Sequence, residues 1–266
     1  MQKIAWLSDI HLNFLTLDEL EQFTQKLSSL DADSFLIGGD IGEGPSISEY
    51  LSYLESHLER PIFFVLGNHD FYHRSFAQVY VEIYKLVAGS KYLKWLPKAG
   101  IVELSPNTCL IGHGCWGDAR YGDFFNSKME VMDTWLIKDF VHLSKIRLFH
   151  KLHELGDEAG GFFRFHLLEA LQRYKNVLVL THVSPFIESA WHRGYTSDDD
   201  ALPYFACKAA GDVFRKVVGD YPDRNITLMC GHTHSPGQAH IFDNLIAKTA
   251  GAKYGKPEVQ EVIEIK

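Results

Sequence analysis

Five stretches of the chain are apolar for several residues and then turn polar within one or two. They are I-A-W-L-S-D-I-H at Ile4–His11, S-F-L-I-G-G-D at Ser34–Asp40, I-F-F-V-L-G-N-H-D at Ile62–Asp70, N-V-L-V-L-T-H at Asn176–His182 and I-T-L-M-C-G-H-T-H at Ile226–His234. Runs that are apolar at consecutive rather than alternating positions fit strands buried on both faces. Each run ends in Asp, Asn or His, so each places polar chemistry at the C-terminal end of a strand, where open α/β sheets bind ligands.

Between these runs the period changes. Leu17, Leu20, Phe23, Leu27 and Leu30 recur at helical spacing, with Thr16 as a candidate N-cap and Glu19 at the capping-box position. Ser46–Glu59 and Phe76–Val87 are further helix candidates. The resulting βαβαβα order predicts a mostly parallel sheet flanked by helices, an α/β fold. Two short strands are expected at Gly100–Leu104 and Thr108–Gly112, around the turn-like Ser105-Pro106-Asn107.

From about Gly114 to Tyr174 the pattern departs from this alternation. Asp118–Asp123 is loop-like, Met129–Leu155 reads as one long helix or two, and Gly160-Gly161 should break it before a helix at Phe162–Tyr174. This segment is expected to be a helical insertion or lid within one domain spanning residues 1–266. Val183–Pro203 lacks periodicity and is expected to be a functional or mobile loop. A helix at about Tyr204–Val218 should precede the Ile226 run, and short strands are expected near Gln238–Phe242, Leu245–Thr249 and Val259–Ile265.

Composition narrows the class. With 46% hydrophobic residues in 266, the chain can bury a substantial core. No apolar run approaches the roughly 20 residues that span a bilayer. The first strand begins almost at once, leaving no room for a signal peptide, so a soluble cytoplasmic protein is expected. Cys109, Cys115, Cys207 and Cys230 show no C-x-x-C spacing and read as reduced core thiols. A net charge of −8 argues against broad affinity for nucleic acid.

Asp9 and His11 are two positions apart, as are His232 and His234, so each pair shares a face if strand geometry continues. Asp40, Asn68 and His182 add two oxygen donors and one nitrogen donor. Carboxylate, amide oxygen and imidazole suit manganese, iron or zinc rather than a thiolate-seeking metal. Together these donors are too many for one small cation and fit a pair if Asp40 bridges them. Two cations roughly 3.5–4 Å apart clamp the attacking and leaving oxygens of an in-line phosphoryl displacement.

D-I-H at Asp9–His11, G-D at Gly39-Asp40, G-N-H-D at Gly67–Asp70, the isolated His182 and G-H-T-H at Gly231–His234 occur in the order of the five blocks of the calcineurin-like metallophosphoesterase superfamily, which the chain resembles. The resemblance implies a double β-sandwich flanked by helices. It also implies one metal on Asp9, His11 and His234, a second on Asn68, His182 and His232, and Asp40 between them. The metals would be divalent or trivalent, manganese or iron, with zinc as a further candidate. His69, next to a ligand without being one, would face the leaving oxygen of the substrate. Asp70 is expected to accept a proton from its other ring nitrogen and so orient it.

The resemblance is not to every branch. Serine/threonine phosphatases of the superfamily usually carry an arginine soon after G-D and close the third block with Glu, whereas this chain has G-D-I-G-E-G and Asp70. Lipid A pathway hydrolases usually have Arg where His69 stands. A small, nucleotide-like phosphoester substrate is therefore expected, with a nuclease or a non-catalytic scaffold on the same fold as alternatives. Tyr72, His73 and Arg74, together with Trp191-His192-Arg193, are candidate lining residues, and His113 stands near a strand end. Ser8, Ser184 and Cys115 show no nucleophile-and-base arrangement.

Overall fold

Consecutive residues of the first strand enter different cores: Ile4 and Trp6 belong to one apolar cluster, Ala5 and Leu7 to another. The structure, a computed structural model, describes residues 2–265. It opens with β1 (Gln2–Leu7), α1 (Leu17–Ser28), β2 (Ser34–Gly38), α2 (Ile47–Leu58), β3 (Ile62–Val65), α3 (Phe76–Gly89) and β4 (Leu93–Trp95). A short α4 (Leu96–Ala99) leads to β5 (Val102–Ser105) and β6 (Thr108–His113); then come α5 (Asp133–Leu136), α6 (Lys145–Arg173) and β7 (Asn176–Thr181). The chain continues through β8 (Trp191–His192), β9 (Tyr195–Thr196), α7 (Leu202–Phe205), α8 (Lys208–Val217) and β10 (Asn225–Cys230). It ends with β11 (Gly237–Phe242), β12 (Leu245–Thr249) and β13 (Glu261–Ile265).

Two mixed sheets result, a five-stranded one in the order β13-β1-β2-β3-β4 and a six-stranded one in the order β11-β12-β10-β7-β6-β5. The strands β1 to β4 are parallel, as are β6, β7, β10 and β12, while β13, β11 and β5 add antiparallel edges. Ile4, Trp6, Leu36, Phe63, Leu178 and Met229 fill the space between the sheets. The alternate residues Phe35, Ile37, Ile62 and Phe64 face outward to α1, α2 and α3. On the other sheet, Val177, Val179 and Leu228 face Phe163, Leu167 and Phe214 of α6 and α8. Both faces of the inner strands are thus covered, which is why these strands read as unbroken apolar runs. All four cysteines are buried and unbridged.

The capping box expected at the start of α1 is present: Thr16 Oγ1 accepts from the Glu19 N–H, and the Thr16 N–H donates to Glu19 Oε2. Other expectations fail for identifiable reasons. Met129–Leu155 is not a helix throughout. Only Asp133–Leu136 is helical before Lys145, because the segment spends its backbone on the loop before α3. The Leu136 oxygen accepts from His73 N–H at 2.8 Å, and Lys138 N–H donates to the Arg74 oxygen at 3.1 Å.

Gly160-Gly161 does not break the helix either, and α6 runs through it for 29 residues. Gly160 lies against Ala209, where an added methyl would come within 3.2 Å of the Ala209 oxygen, while Gly161 faces open space. A close helix–helix approach accounts for the first glycine, and local propensity is overridden by packing. The helix expected at Tyr204–Val218 is interrupted instead, since Cys207 N–H leaves it to donate to the Ser184 oxygen at 2.8 Å. Val183–Pro203 holds the β8–β9 hairpin, and β4 had no sequence signal.

Candidate metal centre

All five runs end on one spot. β1 stops at Leu7, β2 at Gly38, β3 at Val65, β7 at Thr181 and β10 at Cys230, and the residues that follow turn out of extended geometry. Asp9, His11, Asp40, His232 and His234 all have positive φ, between 40° and 71°. Asp9 and His11, like His232 and His234, therefore meet through left-handed turns, and the shared strand face expected for each pair is absent. Such backbone costs roughly 1–2 kcal/mol per residue, and its concentration in one place marks a functional site. A methyl on Gly67 would overlap Asp40 Oδ1, so only glycine lets these two loops approach.

Asp9, His11, Asp40 and His234 place one ligand atom each within 4.8 Å of one another. His11 Nε2 and His234 Nε2 stand 3.2 Å apart, with Asp9 Oδ1 at 3.4 Å from His234 and Asp40 Oδ2 at 3.7 Å from His11. Asp9 is oriented by Ser8, whose hydroxyl donates to Oδ2 at 2.6 Å, and by the His232 N–H, which donates to Oδ1 at 2.9 Å.

The second group consists of Asn68, His182 and His232. His182 Nδ1 donates to the Gly38 oxygen at 2.8 Å, which leaves Nε2 as a lone pair. His232 Nε2 donates to the Tyr204 oxygen at 3.2 Å, which leaves Nδ1 as a lone pair. The Asn68 amide NH2 donates to Asp133 Oδ1 at 2.8 Å and to the Tyr72 hydroxyl at 3.2 Å, so its oxygen points the other way. The three atoms left over are all acceptors. They face one another at 3.0, 3.0 and 3.2 Å, with Asp40 Oδ1 at 3.4 Å from His182 Nε2. Acceptors do not converge without a donor unless a cation is meant to lie among them.

Electrostatics agree. Burial, with the Asp9 and Asp70 carboxylates nearby, pushes the Asp40 carboxyl well above its usual range. Burial holds His232 well below the imidazole range and His11 down at about 3. The donors thus fit a cation pair: buried carboxylate, neutral imidazole and amide oxygen, with a partner on most of their outward atoms.

His69 lies beside this group, its ring 4.2 Å from Tyr72 and 4.7 Å from His11 between centroids. Its backbone N–H donates to Asp40 Oδ1 at 2.9 Å, and burial pushes its imidazole down to about 3. The expected bond from His69 to Asp70 does not form; His69 Nδ1 is buried without a partner. Asp70 is instead used up on the backbone, its Oδ1 accepting from Ile41 and Gly42 N–H and its Oδ2 from Gly67 N–H. Its role is to tie the Asp40 loop to the Asn68 loop. Arg74 likewise pairs with Glu82 at 2.8 Å rather than facing the site, and His113 lines a separate pocket of about 210 Å³ with Trp95 and Glu158.

The cavity above the centre, about 270 Å³, is lined by Asn68, His69, Tyr72, Asp133, His192 and Tyr254 among others. Asp133 and Tyr254 carried no sequence signal. Asp133 lies in the 114–174 segment and is 65 positions from its partner Asn68. Tyr254 packs its ring 4.6 Å from that of His11 and 5.1 Å from that of His234.

Two stacked mixed sheets with helices outside, and candidate metal-binding side chains at the tips of parallel strands, define a metal-dependent phosphoesterase architecture. The chain belongs to the calcineurin-like phosphoesterases, whose family model matches residues 2–236. Its fold is similar to that of the phosphopantetheinyl hydrolase of Mycobacterium tuberculosis, with a TM-score of 0.67 at 12% identity over 96% of this chain and 90% of that one. It is also similar to a dimetal phosphatase from Danio rerio, with a TM-score of 0.56 at 14% identity over 94% and 87% of the two chains. Among curated proteins no sequence matches. No helix of the described residues is long and apolar enough to cross a membrane.

Proposed function

We propose that the chain is a dinuclear-metal phosphoesterase that hydrolyses a small, nucleotide-like phosphodiester or phosphomonoester. The observation that carries this reading is the convergence of Asn68 Oδ1, His182 Nε2 and His232 Nδ1 on one point beside Asp40, with no donor among them. One cation would be held by Asp9, His11 and His234, the other by Asn68, His182 and His232, with Asp40 between. Bound there, such a pair supplies Lewis acidity to a phosphoryl oxygen and lowers the pKa of water.

The chain's own residues do the rest. Gly38 and Tyr204 carbonyls fix the tautomers of His182 and His232, and Asp133 fixes the amide of Asn68. Water adds its oxygen to phosphorus, the bond to the leaving oxygen breaks with its electron pair, and the proton lost by water is matched by one gained at the leaving group. His69, at the cavity wall, is the group placed to hand over that proton, worth roughly 10²–10⁴ in rate. Burial keeps its imidazole neutral in the free protein. The negative charge of a bound phosphoryl group acts in the opposite direction.

The test is metal analysis of the purified chain, followed by manganese-stimulated hydrolysis of bis-p-nitrophenyl phosphate and p-nitrophenyl phosphate. Asp40→Ala is expected to lose both metal and hydrolysis, and His69→Ala to keep metal while losing most turnover. Full activity in Asp40→Ala would overturn the assignment.

A further inference from the structure

Past His234 the surface opens into a second cleft of about 360 Å³, lined by Pro236, Lys253, Lys256, Glu258 and Gln260 besides His234 itself. The two recesses differ in charge. Glu130 and Asp133 stand among the aromatic walls of the cavity above the centre, and no lysine or arginine is among the described residues lining it. The second cleft sets two lysines against the single carboxylate of Glu258. Lys253 and Lys256 are exposed and, like most lysines among the described residues, form no ion pair with a carboxylate.

These two lysines are held by the backbone. They stand at the ends of one turn, where Lys256 N–H donates to the Lys253 oxygen at 3.0 Å and Gly255 takes a φ of 70°. The Gln260 side chain clasps Gly251 from both sides, accepting from its N–H at 3.0 Å and donating to its oxygen at 2.9 Å. Between the lysines, Tyr254 packs on Phe14 at 4.7 Å and on the rings of His11 and His234. The turn therefore sits between the two recesses with its position fixed against the metal ligands.

On a chain of net charge −8, two unpaired cations beside a metal-ligating histidine form a local anion subsite. A phosphomonoester has a single arm and would leave one recess unused. Resting on the hydrolytic reading above, we propose that the substrate is a phosphodiester with one uncharged arm lying along Tyr72 and Phe205, and a second arm ending in an anionic group that Lys253 and Lys256 receive.

Two synthetic diesters of matched length test this on the manganese-loaded protein: p-nitrophenyl pentyl phosphate and p-nitrophenyl carboxybutyl phosphate, read by release of p-nitrophenol. The carboxylate ester is expected to have a KM about tenfold lower, the scale of two exposed charge contacts. In the double variant Lys253→Ala, Lys256→Ala the ratio of kcat/KM for the two esters should fall towards unity. Cleavage of both esters without preference, or a preference that survives in the double variant, overturns this proposal alone. Cleavage of neither ester by a metal-loaded wild type that still hydrolyses p-nitrophenyl phosphate overturns this proposal alone, and cleavage of none of the three overturns the hydrolytic reading with it.

Discussion

Replacing Asp70 by alanine separates two roles that its position beside His69 leaves entangled. The carboxylate is fully buried and accepts from three backbone N–H groups, those of Gly67 at 2.8 Å, Ile41 at 2.9 Å and Gly42 at 3.1 Å. An orphaned buried donor costs about 1–3 kcal/mol. The variant also escapes the desolvation cost of a buried carboxyl, which in the native chain is pushed up to about 6 chiefly by burial. The net loss should therefore fall below the plain sum, at about 3–5 kcal/mol, a large part of the stability of an ordinary domain. Urea unfolding of the chelator-treated protein reads this loss free of any metal contribution. Asp70→Asn keeps one acceptor oxygen and turns an NH2 towards at least one backbone donor, so it should lose roughly 1–3 kcal/mol. An unfolding midpoint unchanged in Asp70→Ala, with turnover lost, would refute the structural role and restore Asp70 as the orienting partner of His69.

Asp133→Ala should free the Asn68 amide to flip, turning its NH2 towards the lone pairs of His182 and His232 and excluding a cation; metal affinity is expected to fall about 10–100-fold, measured by competition with a chromophoric chelator. Unchanged affinity would show that Asp133 does not aim Asn68, whereas Asp133→Asn, which keeps an acceptor, should retain most of it. His113 gives a pH dependence away from the centre. Burial lowers its pKa to about 4 from the usual imidazole value of 6.5, so between those values the unfolded chain takes up a proton that the native chain refuses. Its contribution is complete above pH 6.5 and is lost as pH falls towards 4, at most about 2–3 kcal/mol for a residue that keeps some exposure. Denaturant unfolding of wild type and His113→Gln across that window should show a smaller pH slope in the variant, and equal slopes would sink the argument.

What could be read from the sequence and what could not divide along a physical line. The strands β1, β2, β3, β7 and β10 are legible because both their faces are buried, which forces an unbroken apolar run. The residues that the structure gathers at their tips are legible because Asp, Asn and His follow those runs at once. Asp70 departs from the expected bond to His69 because adjacency in sequence is not adjacency of side chains. His69–Phe71 is a 3-10 turn, which has about three residues per turn, so neighbouring side chains point about a third of a turn apart. Gly160-Gly161 misled for the opposite reason: a glycine costs a helix only about 1 kcal/mol, and contact with α8 outweighs it.

The groups that aim the candidate ligands are the least legible in the sequence, and the reason is chemical. Side chains that meet a cation must be particular residues, but the atoms that orient them need only be acceptors. Two of those atoms are the backbone oxygens of Gly38 and Tyr204, for which any residue would serve. The third belongs to Asp133, in a segment that reads as helix until the loop before α3 takes its hydrogen bonds. The positive φ of five ligand candidates is equally silent, because Asp and His tolerate the left-handed region without advertising it. A centre of this kind is therefore specified twice, once by ligand identity and once by backbone placement. Asp70→Ala loosens the backbone placement and Asp133→Ala the aim of one side chain, and both leave every candidate ligand in the chain.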